Sequence, residues 1–230
     1  AIALTRLAWI KFGYDHDWFG AEADLKRAMA LEPESRVVLQ SASTLEAILG
    51  RFDESYKLNL RAMQLDPLWI TVYWNQALVC WFSGRFAEAE AMYKKVLELN
   101  PERTEVHADL AMVYLTQSKL PQALAELQKE RDERWRLWAL AIYHHAAKNP
   151  DESNRALNEL IEKHRTGMDY QIAQVYAYCG QMDKAFEWMD NAYNEHDTGL
   201  LLLKGDPLIR SLHRDPRWRT LMKKMNFPSS

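Results

Sequence analysis

Apolar residues recur along this chain at the spacing of amphipathic helices, and the helical runs are interrupted at regular intervals. Three of the runs stop at a proline: Pro33 follows AMALE, Pro67 follows AMQLD and Pro101 follows VLELN, at intervals of 34 residues. Proline has no backbone N–H with which to continue a helix. The pattern therefore predicts a repeated block of two helices in which the chain turns at each proline.

Small residues keep the same register and mark the places where the two helices of a block would cross. A side chain larger than alanine there would push the helix axes beyond their usual separation of about 8–10 Å. After the fourth block the period shortens, but the 12-residue spacing between the two crossing positions persists. The crossing pairs are Ser43 with Ser55, Ala77 with Ala89, Ala111 with Ala123, Ala141 with Ser153, and Ala173 with Ala185.

These residues resemble the tetratricopeptide repeat, a 34-residue helix pair. The third block is the best match, with Tyr73, Ala77, Gly84, Phe86, Ala89, Tyr93, Val96 and Pro101. The segments FGYDHDWFGAEADLKRAMALEP and DPRW…LMKKMNFP further resemble the C-terminal repeat regions of bacterial regulators. In that family an N-terminal winged-helix, nucleotide cyclase or Ser/Thr kinase domain precedes the repeats. The resemblance implies a non-catalytic protein-interaction module of a bacterial regulatory or signalling protein, with an effector domain before Ala1.

We predict an all-α fold, a right-handed α-solenoid with a C-terminal helical cap. The cap comprises residues 197–230, where Asp206-Pro207 and Asp215-Pro216 each read as an N-cap followed by proline in the first helical turn. Its apolar side chains would cover the open end of the stack. The six predicted helix pairs are about 3–32, 35–66, 69–100, 103–131, 133–165 and 168–196.

Composition supports a helical protein without an overall basic field. The chain has 230 residues, only eight Gly and eight Pro, and a net charge of −3, which argues against a nucleic-acid partner. The longest apolar stretch, residues 69–82, is interrupted by Asn75 and Gln76 and falls short of the roughly 20 residues that span a bilayer. Cys80 and Cys179 lie within apolar helical patterns, so we expect a reducing, cytoplasmic setting and no membrane partner.

The first helices of such pairs line a concave wall, where ligands usually bind. Exposed Trp and Tyr are typical of binding hot spots, so we predict a groove for a peptide, a helix or a neighbouring domain. The alternative is that these rings are buried between adjacent units; self-association through the groove is a further possibility. The predicted groove residues are Trp74, Asn75, Trp81, Asp109, Trp138, His145, Tyr170 and Tyr178, with Glu105 at a neighbouring groove position.

No catalytic residue, cofactor or metal ligand is predicted. His144 and His145 are adjacent on a helix and point about 100° apart, so they cannot chelate one ion together. Asp17, in the segment YDHDW, is interpreted as a helix N-cap. The competing hypothesis is an enzyme, which would need a closed, titratable pocket such as one joining His145 to Asp109.

Overall fold

The structure, a computed structural model, describes residues 1–228, and within that range every regular element is helical. This confirms the predicted all-α solenoid. The helices are α1 Ile2–Ile10, α2 Trp18–Leu31, α3 Arg36–Ile48, α4 Phe52–Leu65, α5 Ile70–Phe82, α6 Phe86–Leu99, α7 Val106–Thr116, α8 Leu120–Leu127, α9 Glu133–Ala146, α10 Pro150–His164, α11 Asp169–Tyr178, α12 Met182–Asn194 and α13 Pro216–Lys224. Of the predicted cap, residues 229–230 lie outside the described range.

Successive helices pack as hairpins, from α1 with α2 to α11 with α12. The crossing residues are closed to solvent, with Ala77 and Ala111 at 0% exposure. Where serine replaces alanine, its hydroxyl finds a backbone partner on the facing helix, as a buried polar group requires. Ser43 Oγ donates to Ser55 O at 2.9 Å, and Ser153 Oγ donates to Ala141 O at 2.7 Å.

The turns inside the hairpins use left-handed backbone. Gly84 has a φ of +79°, and the next residue, Arg85, donates its N–H back to Cys80 O at 2.7 Å. This hydrogen bond satisfies one of the carbonyls that the end of α5 leaves free. Gly50 and Gly180 adopt the same conformation at the equivalent turns, which explains why glycine recurs there.

The fourth hairpin keeps its crossing residues, but its first helix starts later than predicted, because α7 begins at Val106 rather than near residue 103. The physical reason lies in the loop between α8 and α9. Glu130 is buried there; its carboxylate accepts from Ala108 N at 3.3 Å and from Asp132 N at 3.0 Å. It caps α7 from outside the helix. Glu105, the residue before α7, is left with a φ of 78°.

Residues 197–228, hereafter the tail, pack against more than the last hairpin. The segment Pro207–Arg214 lies on α11, as a cap would, and Tyr170 Oη donates to Asp206 Oδ2 at 2.7 Å. At its far end the tail reaches the first hairpin, where Trp18 Nε1 donates to Met225 O at 2.9 Å. The prediction of a cap over the open end was therefore incomplete, because the tail also joins the two ends of the array.

Among residues 1–228, none of the helices combines the length and the apolar character needed to cross a membrane.

Candidate functional site

The first helices of the hairpins and the tail line a cavity of about 400 Å³ that is partly open to solvent. Trp9 on α1, Trp74 on α5 and Trp135 on α9 contribute aromatic surface to it. The lining further includes Ile48, Asn75, Leu78, Phe82, Gln171 and Leu202. Ligand pockets in proteins typically measure about 300–1,000 Å³ and combine apolar walls with a few polar groups. The cavity therefore has the size and the composition of a binding pocket.

Each tryptophan of the cavity is held by a contact of its own. Trp9 Nε1 donates to Ser41 Oγ at 2.9 Å, and Trp74 Nε1 donates to Asp109 Oδ2 at 3.0 Å. Trp135 packs edge-on against Trp138, with 5.9 Å between the ring centroids. These contacts fix the rings before a ligand arrives, which lowers the entropic cost of binding.

The burial of the predicted groove aromatics differs from residue to residue. Trp81 and Trp138 are 3% exposed and Tyr170 is 0% exposed, so none of the three is available to a partner. Trp81 is held by the next unit, since its Nε1 donates to Thr116 Oγ1 at 3.0 Å. Tyr170 is covered by the tail. For these residues the alternative of core packing is the right one.

Asp109 is also buried, and its role is structural. Burial raises the pKa of its carboxyl well above the usual range; the neighbouring Glu105 adds to the shift, and the hydrogen bond from Trp74 opposes it. A carboxyl in this environment holds the Trp74 ring in place and is not available to a ligand in solution.

The remaining predicted residues fall into two groups. Trp74 and Asn75 are half-buried and line the cavity. His145 and Tyr178 lie away from it and pack edge-on against each other, with 5.8 Å between the ring centroids. In the described part of the chain, no hydrogen bond or ion pair joins His145 to Asp109. The closed catalytic pocket that the enzyme hypothesis requires at these two residues is not formed.

Several contributors to the cavity lie outside the predicted groove residues, Trp9 and Leu202 among them. Trp9 follows the crossing residue Ala8 just as Leu78 follows Ala77, so the register applied to the first hairpin could have found it. Leu202 comes from the tail, and no repeat register reaches that segment.

Glu105 is the least restrained charged group of the cavity. Its side chain is half-buried, and within residues 1–228 no hydrogen bond or ion pair holds its carboxylate. Burial raises the pKa of the carboxyl to about 7; Glu130 and Asp132 add to the shift, whereas Arg103 and Arg134 oppose it. An unpaired carboxylate in a desolvated position attracts positive charge.

The described residues contain no cluster of three or more His, Cys, Asp or Glu side chains placed to hold a metal ion.

Comparison with known families supports the assignment of the helical hairpins. Residues 83–129 match a profile of the tetratricopeptide repeat family, and residues 71–94 match a second profile of the same description. The tetratricopeptide repeat is thus matched over residues 71–129, which form the third and fourth hairpins. Proteins built from these repeats are in general interaction modules that bind proteins or peptides and are non-catalytic scaffolds.

Solved tetratricopeptide proteins share the fold at low sequence identity. TTC0263, a thermophilic tetratricopeptide protein in Thermus thermophilus, superposes with a TM-score of 0.63 at 16% identity, over 80% of this chain and 98% of that one. A tetratricopeptide repeat protein from Parabacteroides merdae gives a TM-score of 0.58 at 23% identity, over 97% of this chain and 91% of that one. MamA gives a TM-score of 0.56 at 15% identity, over 70% of this chain and 96% of that one. No curated protein matches the chain in sequence.

Proposed function

We propose that this chain is a non-catalytic interaction module that receives an anchor segment of a protein or peptide partner in the cavity between its first helices and its tail. The observation that carries the proposal is the set of three tryptophans, Trp9, Trp74 and Trp135, held in fixed positions around that cavity. Aromatic anchors in partly enclosed pockets contribute a large share of the energy in protein interfaces.

The size of the cavity limits what can enter it. A volume of about 400 Å³ is at the lower end of the range for small-ligand pockets. It accommodates a few side chains rather than a whole helix, and the tail occupies the adjoining space. The partner therefore enters as a short extended segment or a loop, carried on a free peptide or on a neighbouring domain.

We place this module in a bacterial regulatory protein of the cytoplasm. The two segments that resemble bacterial regulators pack on each other: Trp18 from the first stacks on Phe227 from the second, with 4.6 Å between the ring centroids. This contact supports treating the two segments as parts of one unit. The net charge of −3 favours a protein partner over a nucleic acid. The free Cys80 and Cys179 fit a reducing compartment.

The proposal is tested by selecting short peptides from a random displayed library on the wild-type chain and measuring their affinity for variants. We expect Trp135→Ala to weaken the selected peptides at least tenfold, because truncation of an aromatic anchor costs about 2 kcal/mol or more. Trp188→Ala is the matched control, since Trp188 is half-buried outside the cavity beneath Arg165.

Circular dichroism would establish that both variants are folded. If no peptide is enriched, or if the enriched peptides bind Trp135→Ala as tightly as they bind Trp188→Ala, the proposed function is wrong.

A further inference from the structure

We infer that the cavity is a site for an organic cation, in which an ammonium or guanidinium group lies against the tryptophan rings with the Glu105 carboxylate as its counter-ion. The inference rests on the cavity of the proposed function, and it adds the chemical class of the group that enters.

The charge of the lining is one-sided. Within residues 1–228 no Lys, Arg or His lines the cavity, whereas Glu105 and Asp197 do. Asp197 is already engaged, because its Oδ2 accepts from Tyr170 N at 3.0 Å and its Oδ1 accepts from Gly199 N at 2.8 Å. Glu105 has no such partners. The cavity lining therefore offers one carboxylate without a hydrogen-bond or ion-pair partner among the described residues, and no Lys, Arg or His; Arg103 and Arg134 act on this carboxylate from outside the lining.

The backbone at Glu105 is in an unusual conformation. At the equivalent starts of α3 and α5, Ser35 and Trp69 have φ angles of −78° and −80°, whereas Glu105 has +78°. Residues other than glycine rarely occupy positive φ, and such strain tends to collect at functional sites. The shortened start of α7, capped by Glu130, is what brings Glu105 to the cavity in this conformation.

The cavity tryptophans lack the cations that cover comparable rings elsewhere in the chain. On the outer surface the Arg36 guanidinium lies 5.0 Å from the centroid of Trp69, and that of Arg165 lies 5.1 Å from Trp188. In the part of the chain that the structure describes, no Lys or Arg lies over Trp9, Trp74 or Trp135. Tryptophan is the best aromatic partner for a cation, worth about 0.5–2 kcal/mol per contact depending on desolvation. The rings of the cavity are free to accept one from a ligand.

The titration of Glu105 gives the inference a second readout. Burial raises the pKa of this carboxyl to about 7. The charged groups that act on it are Arg103 and Arg134, which lower the pKa, and Glu130 and Asp132, which raise it. The pKa of the neighbouring Asp109 is itself raised, chiefly by burial. A permanent cation pairs with the ionised form of Glu105, so its affinity should increase as the pH is raised from 6 to 8.

The test uses choline as the probe and, for comparison, its neutral isostere, in which a carbon replaces the quaternary nitrogen. Binding is measured by calorimetry and by NMR of the tryptophan indoles. We expect the isostere to bind at least tenfold more weakly than choline at pH 8. Glu105→Gln should weaken choline about tenfold, equivalent to about 1.4 kcal/mol, and should abolish the pH dependence. Glu102→Gln is the matched control, three residues earlier in the chain and with its side chain 66% exposed. It should change neither the affinity for choline nor the pH dependence of that affinity.

A short peptide with a single arginine distinguishes the two sources of the cation. If it binds more tightly than choline with the same dependence on Glu105, the cation is carried by a peptide partner. If choline binds as tightly as the peptide, the ligand is a free organic cation. Equal binding of choline and its isostere, an unchanged affinity in Glu105→Gln, or no binding of either cation would overturn the inference. Library peptides that require Trp135 but not Glu105 would do so too, and would leave the proposed function standing.

Discussion

Replacing Glu105 with glutamine should make the protein more stable at pH 8 and should change its stability much less at pH 5. The carboxyl has a pKa of about 7 in the folded chain against a usual value of 4.5. Because the folded state holds this proton more tightly, the protonated side chain contributes fully to the stability of the fold below pH 4.5. That contribution is lost as the pH rises from 4.5 through about 7. Glutamine keeps the shape of the side chain and removes the charge.

The size of the effect follows from the shift of the pKa. Each pKa unit corresponds to about 1.4 kcal/mol, so the difference between 4.5 and about 7 sets an upper limit of about 3.5 kcal/mol. The carboxylate is only half-buried and keeps part of its hydration within the cavity. We therefore expect Glu105→Gln to raise the free energy of unfolding by about 1–2 kcal/mol at pH 8.

The assay is urea unfolding at pH 5 and pH 8, followed by circular dichroism and by tryptophan fluorescence so that coincident transitions can be verified. Glu102→Gln serves as the control, with an expected change within about 0.5 kcal/mol at either pH. A loss of stability in Glu105→Gln at pH 8, or the same change at both pH values, would refute the reasoning. Either result would mean that groups of the protein itself already stabilise the ionised carboxylate of Glu105.

Two other predictions concern the interior. A Cβ on Gly205 would lie 2.4 Å from Phe82 Cδ2, so Gly205→Ala should lower the stability by about 1–3 kcal/mol in thermal unfolding. Gly13→Ala is the control and should have little effect, because no atom lies within 4 Å of the new Cβ. Equal melting temperatures of the two variants would contradict the packing of the tail. Burial raises the pKa of Cys80 to about 12, so a thiol reagent at pH 8 should modify the half-buried Cys179 first. A faster reaction at Cys80 would contradict the burial of Cys80.

The repeated hairpins were predictable because local features encode them. Proline and glycine fix where helices end, and small residues such as Ala77 and Ala89 fix where they cross, so one register describes most units. The shortened link after the fourth hairpin was also predicted. It appears as an α8 of 8 residues where α4 and α6 each have 14.

The binding site was harder to predict because it depends on contacts between units. Trp74 and Trp81 are two turns apart on the same helix, yet Trp74 reaches the cavity while Trp81 is buried against Thr116. Which ring is covered depends on the side chains of the next hairpin and not on the helix itself. The path of the tail to Trp18 is a contact across 207 residues that no local pattern encodes. Both features required the three-dimensional structure.

The most direct test of the cavity as the binding site is an NMR titration of the nine tryptophan indole resonances with a selected peptide. The resonances are assigned by single Trp→Phe variants. We predict that the resonances of Trp9, Trp74 and Trp135 shift together along one binding curve, while that of Trp188 on the outer surface does not shift. Shifts confined to Trp188, or spread evenly over all nine indoles, would contradict it.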